Sequence, residues 1–181
     1  LSVQLHESDP LDREKCQKRS QALLRLFQSL FSSVALFSMN EPVLKPHLST
    51  IVRECLSHAS KAEDSCNFLY LLRALFKSLT NGKHELQFEM LYRDFMPLLE
   101  HVLNGLLGLY HGPLRIVHGE LIVELCLTVP ARPSTIFPYL NKQLKPMVWA
   151  LEGGRDTVHM GLRQIEFWVD TLQPSYLNQL L

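Results

Sequence analysis

Apolar residues recur along this chain at steps of three and four, segment after segment. Leu23, Leu24, Phe27, Leu30, Phe31, Val34 and Leu36 form the first series, the spacing of one helix face, and predict a helix over about 11–37. Pro42 suits the first position of a second helix, running to about His58 with Leu44, Leu48, Ile51, Val52, Cys55 and Leu56 inward. A third, from about Ser65 to Leu79, turns Leu69, Leu72, Leu75, Phe76 and Leu79 inward and stops at Asn81-Gly82. The fourth spans about Glu85 to Tyr110, and Pro97 inside it predicts a kink or break near Arg93–Pro97. The fifth runs from about Leu114 to Val129 and ends ahead of Pro130. Ile122–Val129 has strand-like composition, but Leu114, Val117 and Leu121 extend it at helical spacing, which favours helix. The sixth covers about Ser134 to Leu151, with Pro138 and Pro146 as irregularities and Gly153-Gly154 as its stop. The seventh, about Asp156 to Leu172, has the cleanest stripe: Val158, Leu162, Ile165, Val169 and Leu172. It ends at Gln173-Pro174, after which the last residues begin another helix.

Short connections make consecutive helices antiparallel neighbours. Taken in pairs, they start afresh near residues 12, 65, 113 and 156, close to the roughly 40–47-residue period of HEAT-type units. A helix pair cannot cover its own apolar faces, so it stacks on the next. The expectation is an all-α fold: a single α-solenoid segment over 1–181, built of HEAT-like antiparallel helix pairs, about seven to eight helices in all. A closed helical bundle is the alternative.

Composition narrows the function. The chain is 46% hydrophobic and 20% charged, a globular balance. Its 18 basic and 18 acidic residues cancel, so bulk charge favours neither nucleic acid nor an anionic membrane as partner. No apolar run reaches the roughly 18 residues of a membrane span, and no basic-then-apolar leader is visible. The chain starts at Leu1 and stops at Leu181 inside an amphipathic pattern, so it is expected to be a fragment of a much larger chain. Cys16, Cys55, Cys66 and Cys126 sit in helical patterns with no CxxC pair, which points to reduced thiols in a cytosolic or nuclear protein.

Chemistry finds little to work with. Cys55 and His58 give a C-x-x-H, and Cys66 follows, but a fourth ligand and a second pair are missing for zinc. No G-x-S-x-G elbow occurs. Cys126 has Leu125 and Leu127 beside it and nothing obvious to lower its pKa. Gly153-Gly154-Arg155 lacks the lysine and spaced glycine of a P-loop and reads as a helix stop; His111-Gly112-Pro113 is another connection. Arg13, Lys15, Lys18, Arg19 and Arg25, with Lys142 and Lys145 elsewhere, read as solvated helix faces rather than a nucleic-acid footprint. Trp149 and Trp168 could anchor a partner but fit the packing between repeats better. No catalytic, cofactor-binding or metal-binding residue is assigned, and no cofactor is expected. A non-enzymatic binding segment is.

Several words are more specific. Leu71-Leu-Arg-Ala-Leu-Phe-Lys-Ser78, Phe95-Met-Pro-Leu-Leu99, Val123-Glu-Leu-Cys-Leu-Thr-Val-Pro130, Pro138-Tyr-Leu140, Val148-Trp-Ala-Leu151, Gly161-Leu-Arg163 and Val169-Asp-Thr-Leu-Gln-Pro174 occur in this order. Together they resemble the HEAT-repeat region of the TRRAP family, the large pseudokinase scaffolds of transcription coactivators; 1–60 is less similar. Pro133, Asn141-Lys-Gln143 and a long Leu86–Tyr92 connection depart from that pattern. The resemblance implies a nuclear, non-catalytic scaffold segment of a SAGA-type histone acetyltransferase complex. Its partners would be complex subunits and transcription activators, with no small-molecule substrate, no membrane and no direct contact with nucleic acid. It also implies a distant kinase-like domain lacking the residues for phosphoryl transfer. The alternative from the repeats alone is a HEAT-type nuclear transport carrier or a phosphatase scaffold.

Overall fold

A computed structural model describes residues 10–61, 65–80 and 89–172, with backbone alone for 10–17, 35, 38, 89, 133 and 134. The expected stop at Asn81-Gly82, the end at Gln173-Pro174 and the final helix lie outside the described residues.

All regular structure among the described residues is helical. Helix α1 spans Pro10–Leu36, α2 Glu41–Ala59 and α3 Cys66–Thr80. The fourth expected helix is two: α4 (Glu89–Phe95) and α5 (Leu99–His111), joined by a 3-10 turn at Met96–Leu98. Pro97 lies in that turn, where its missing N–H and its ring prevent the α-helical ladder from running through. Helix α6 is Arg115–Leu127, so the Ile122–Val129 segment is helical up to Leu127. The sixth expected helix is also divided, into α7 (Pro133–Ile136) and α8 (Leu140–Leu151), by a 3-10 turn holding Pro138. Pro146, by contrast, is carried inside α8, and Pro46 inside α2. Helix α9 covers Arg155–Thr171.

The helices form two layers. Helices α1, α3, α6 and α9 succeed one another in one layer: α3 packs on α1, α6 on α3, and α9 on α6. In the other, α2 packs against α4 and α5, and the proline-divided α7–α8 follows. Across the layers α2 pairs with α3, α5 with α6, and α8 with α9. This is an all-α solenoid of antiparallel pairs. Its phase differs from the expected one. Units begin at Glu41, Glu89 and Pro133, not near 12, 65, 113 and 156, because α1 packs along α3 rather than α2. Helix α1 therefore lies in the layer of α3, α6 and α9, ahead of the first of these units.

The core runs continuously through the stack. Phe31, Leu72, Phe76, Leu91, Phe95, Leu103, Leu106 and Ile122 are almost completely buried. Phe76 of the first unit meets Phe95 of the second edge to face, with centroids 5.7 Å apart, a favoured aromatic geometry.

Candidate functional site

In a stack of helix pairs the surfaces that matter are the junctions and what they leave open. The two junctions among α2–α9 combine apolar packing with polar ties to the starts of helices, where backbone N–H groups have no partner within the helix. Glu41 of α2 is buried, and its Oε1 accepts the Leu91 N–H in the first turn of α4 at 2.6 Å. Tyr92 of α4 repeats the device. Its Oη accepts the Arg132 N–H at the start of α7 at 2.9 Å and lies 2.7 Å from Thr135 Oγ1, while the Arg132 guanidinium covers the Tyr92 ring. Glu120 of α6 accepts the N–H of Gly154, the residue that opens α9, at 2.8 Å. Carboxylates at these positions also oppose the positive ends of the helix dipoles.

Side-chain pairs join the same units. Arg73 on α3 is ion-paired with Glu124 on α6. Lys142 on α8 lies 2.7 Å from Glu100 on α5, and Lys45 on α2 lies 3.8 Å from Asp94 on α4. In the remaining junction Ser78 of α3 donates to the Phe31 carbonyl of α1 at 2.6 Å.

The sequence candidates resolve into this framework. Trp149 stacks on Tyr110 of the preceding unit, with centroids 3.8 Å apart, and Arg115 caps the same Tyr110 ring. Trp168 of α9 is buried. Both indoles pack within the stack. Cys55 points into the core, whereas His58 is exposed, stacks on Phe68 and pairs with Glu54, so the C-x-x-H does not converge. Burial pushes the Cys126 thiol up to about 12 and, with help from the neighbouring Glu54 charge, the Cys55 thiol up to about 12; both are held as thiols. Gly153-Gly154-Arg155 is a helix stop and restart whose open N–H is taken by Glu120. His111-Gly112-Pro113 connects α5 to α6. Lys18, Arg19 and Arg25 are exposed on α1, where Arg13 and Lys15 lie outside the described side chains; Lys142 is committed to Glu100.

Three kinds of surface remain open. Helices α1 and α9, at opposite ends of their layer, each show a second apolar row: Leu23, Leu26 and Leu30 on α1, Leu162 and Val169 on α9. In the first turn of α6, Ile116 and Val117 project into solvent at 91% and 73% exposure. They precede His118, whose φ of −127° and ψ of 16° interrupt the helix. This pair borders a cavity of about 590 Å³ that Tyr70, Arg73, Glu124 and Met160 also line, between α3, α6 and α9. A second groove, of about 550 Å³, lies between α2 and α5 over Leu56, Gly105 and Gly108. Gly105 is what lets α5 approach, since a Cβ there would stand 3.1 Å from the Leu56 side chain. Both grooves escaped sequence reading, because each is made by residues far apart in the chain.

Comparison with known proteins supplies the context for this architecture. A family model described as the Tra1 HEAT repeat central region matches residues 4–181. The chain is 45% identical over 159 residues to the transformation/transcription domain-associated protein of Danio rerio, covering 87% of this chain and 4% of that protein. The human protein of the same name matches equally, at 45% over 159 residues, again 87% of this chain and 4% of that one. The SAGA complex/NuA4 acetyltransferase complex subunit TRA1 of Saccharomyces cerevisiae is 40% identical over 164 residues, 90% of this chain and 4% of the subunit. The chain thus spans about 4% of the length of these relatives. A stack of HEAT-type pairs, matched along nearly its whole length by that family model, belongs to the Tra1/TRRAP family and corresponds to part of its central HEAT-repeat region.

Proposed function

We propose that this chain is a non-catalytic segment of the helical scaffold of a TRRAP-like subunit in a nuclear histone acetyltransferase coactivator complex. The observation that carries the reading is the two-layer, open-sided stack of a family whose yeast member is named as a SAGA and NuA4 complex subunit. The mechanism is geometric. Tied junctions hold successive units in fixed orientation, so partners bound along the stack keep fixed positions relative to one another. Complex subunits would occupy extended faces. Activator segments would enter grooves of the kind between α2 and α5 as amphipathic helices. The reading assigns no small-molecule substrate, no direct nucleic-acid contact and no membrane association. It also carries over the family expectation of a kinase-like domain elsewhere in the parent that does not transfer phosphoryl groups.

The test is affinity purification of the full-length parent from nuclear extract, followed by mass spectrometry. Acetyltransferase subunits should copurify in stoichiometric amounts. A small GTPase or a phosphatase catalytic subunit in their place would replace this reading with a transport carrier or phosphatase scaffold.

A further inference from the structure

The first turn of α6 departs from the usual chemistry of a helix start. Glu41, Glu100 and Asp156 stand in the first turns of α2, α5 and α9, where a carboxylate opposes the positive end of the helix dipole. Helix α6 has no acidic residue in that turn and no side-chain cap. In their place it carries Ile116 and Val117, both mostly in solvent. Such β-branched side chains lose rotamer freedom in a helix, and here they recover nothing through burial in this chain. His118 follows them and breaks the helical geometry.

The pair continues into the cavity between α3, α6 and α9, where Tyr70 and Met160 extend the surface. Three carboxylates, Glu120, Glu124 and Asp156, line that cavity against two guanidiniums, Arg73 and Arg115, with His118 beside them. Arg73 is taken by Glu124. Arg115 lies over the Tyr110 ring, 4.9 Å from its centroid. Glu120 gives Oε1 to the Gly154 N–H and keeps Oε2, and Asp156 has no ion pair among the described residues. Two exposed carboxylates therefore face the cavity with one guanidinium already turned to a ring. A cation relieves this imbalance, whereas a second anion meets repulsion. A small ligand held inside the cavity would leave Ile116 and Val117 uncovered, so the occupant has to run on past the rim.

We propose that the cavity and the Ile116–Val117 pair together form a docking site for a basic amphipathic segment of a partner protein. Apolar side chains of that segment cover Ile116 and Val117, and a lysine or arginine enters the cavity toward Glu120 and Asp156. The site lies on the layer of α3, α6 and α9, apart from the groove between α2 and α5, so one stack can hold two partners of different character.

The experiment is NMR on the ¹⁵N-labelled 181-residue chain, titrated with two synthetic peptides of equal length and helical pattern, one of leucine and lysine and one of leucine and glutamate. The lysine peptide should move the amide signals of Ile116, Val117 and Asp156 and bind about tenfold more tightly than the glutamate peptide. The double variant I116S/V117S should weaken the lysine peptide by about tenfold, because both apolar contacts are lost. Equal binding of the two peptides, unmoved signals at these residues, or unchanged affinity in folded I116S/V117S would each overturn the proposal. Should I116S/V117S fail to fold, D156K reads the same site through its charge. It should weaken the lysine peptide while leaving the glutamate peptide no weaker, and an unchanged preference would equally overturn the proposal.

Discussion

Helices α6 and α9 occupy successive places in the same layer, yet their surfaces differ. Helix α6 is wrapped by α3, α5, α8 and α9, and Ile122, Val123, Leu125, Cys126 and Leu127 bury almost every side of its C-terminal half. Among the described residues helix α9 packs chiefly on α6 and α8 and buries Thr157, Gly161 and Trp168, with Leu162 and Val169 left facing solvent. A helix apolar on all sides belongs inside a stack, whereas α9 keeps a second apolar row uncovered in this chain. Helix α1 shows the same condition at the opposite end. The interior of this fold is therefore made by succession: each unit completes the one before it.

Perturbing the two classes of site should separate them. The largest effect is expected inside the stack. Phe76→Ala removes a fully buried ring that meets Phe95 across a junction, at a cost of about 3–5 kcal/mol, read as a fall in the urea midpoint. Glu41→Ala is next. It strands the buried Leu91 N–H at the start of α4 and should cost about 1–3 kcal/mol; Glu41→Gln, which retains an acceptor, should recover part of the loss.

Alkaline titration probes the interior differently. The Cys126 thiol rises from its ordinary value near 9 to about 12 in the folded chain. Between these values the unfolded chain has lost a proton that the folded chain keeps, so stability falls as pH rises from about 9 towards 12. The slope from this thiol is about 1.4 kcal/mol per pH unit, and Cys126→Val should remove it from urea midpoints measured across that range. The smallest effect is expected at the margin, where Leu162→Ser changes a side chain that is 52% exposed. The midpoint should move by less than about 0.5 kcal/mol in this chain.

Much of this architecture was legible in the sequence. Inward rows on α2 and α3 match the buried ones nearly residue for residue, as with Leu69, Leu72, Leu75 and Phe76. The breaks at Pro97 and Pro138 fall in 3-10 turns because proline marks them chemically. The seventh helix is the instructive miss. Of its apolar stripe, Leu162 and Val169 face outward while Ile165 and Leu172 reach the core, and the packed face also carries Gly161 and Thr157. Close approach to Ala150 selects small side chains there, and a search for large apolar residues passes over them. The phase of the pairing was hidden for a related reason: every helix in a stack has neighbours on more than one side, so periodicity alone does not say which neighbour is its partner. The ties through Glu41, Tyr92 and Glu120 were unreadable because each joins residues at least 34 positions apart.

Native-state hydrogen exchange followed by mass spectrometry tests the central claim most directly. An open-ended stack predicts graded protection of the backbone, greatest in α3 and α6 and falling toward both α1 and α9. Equal protection of α1, α3, α6 and α9, as a bundle closed around one shared centre would give, would contradict it.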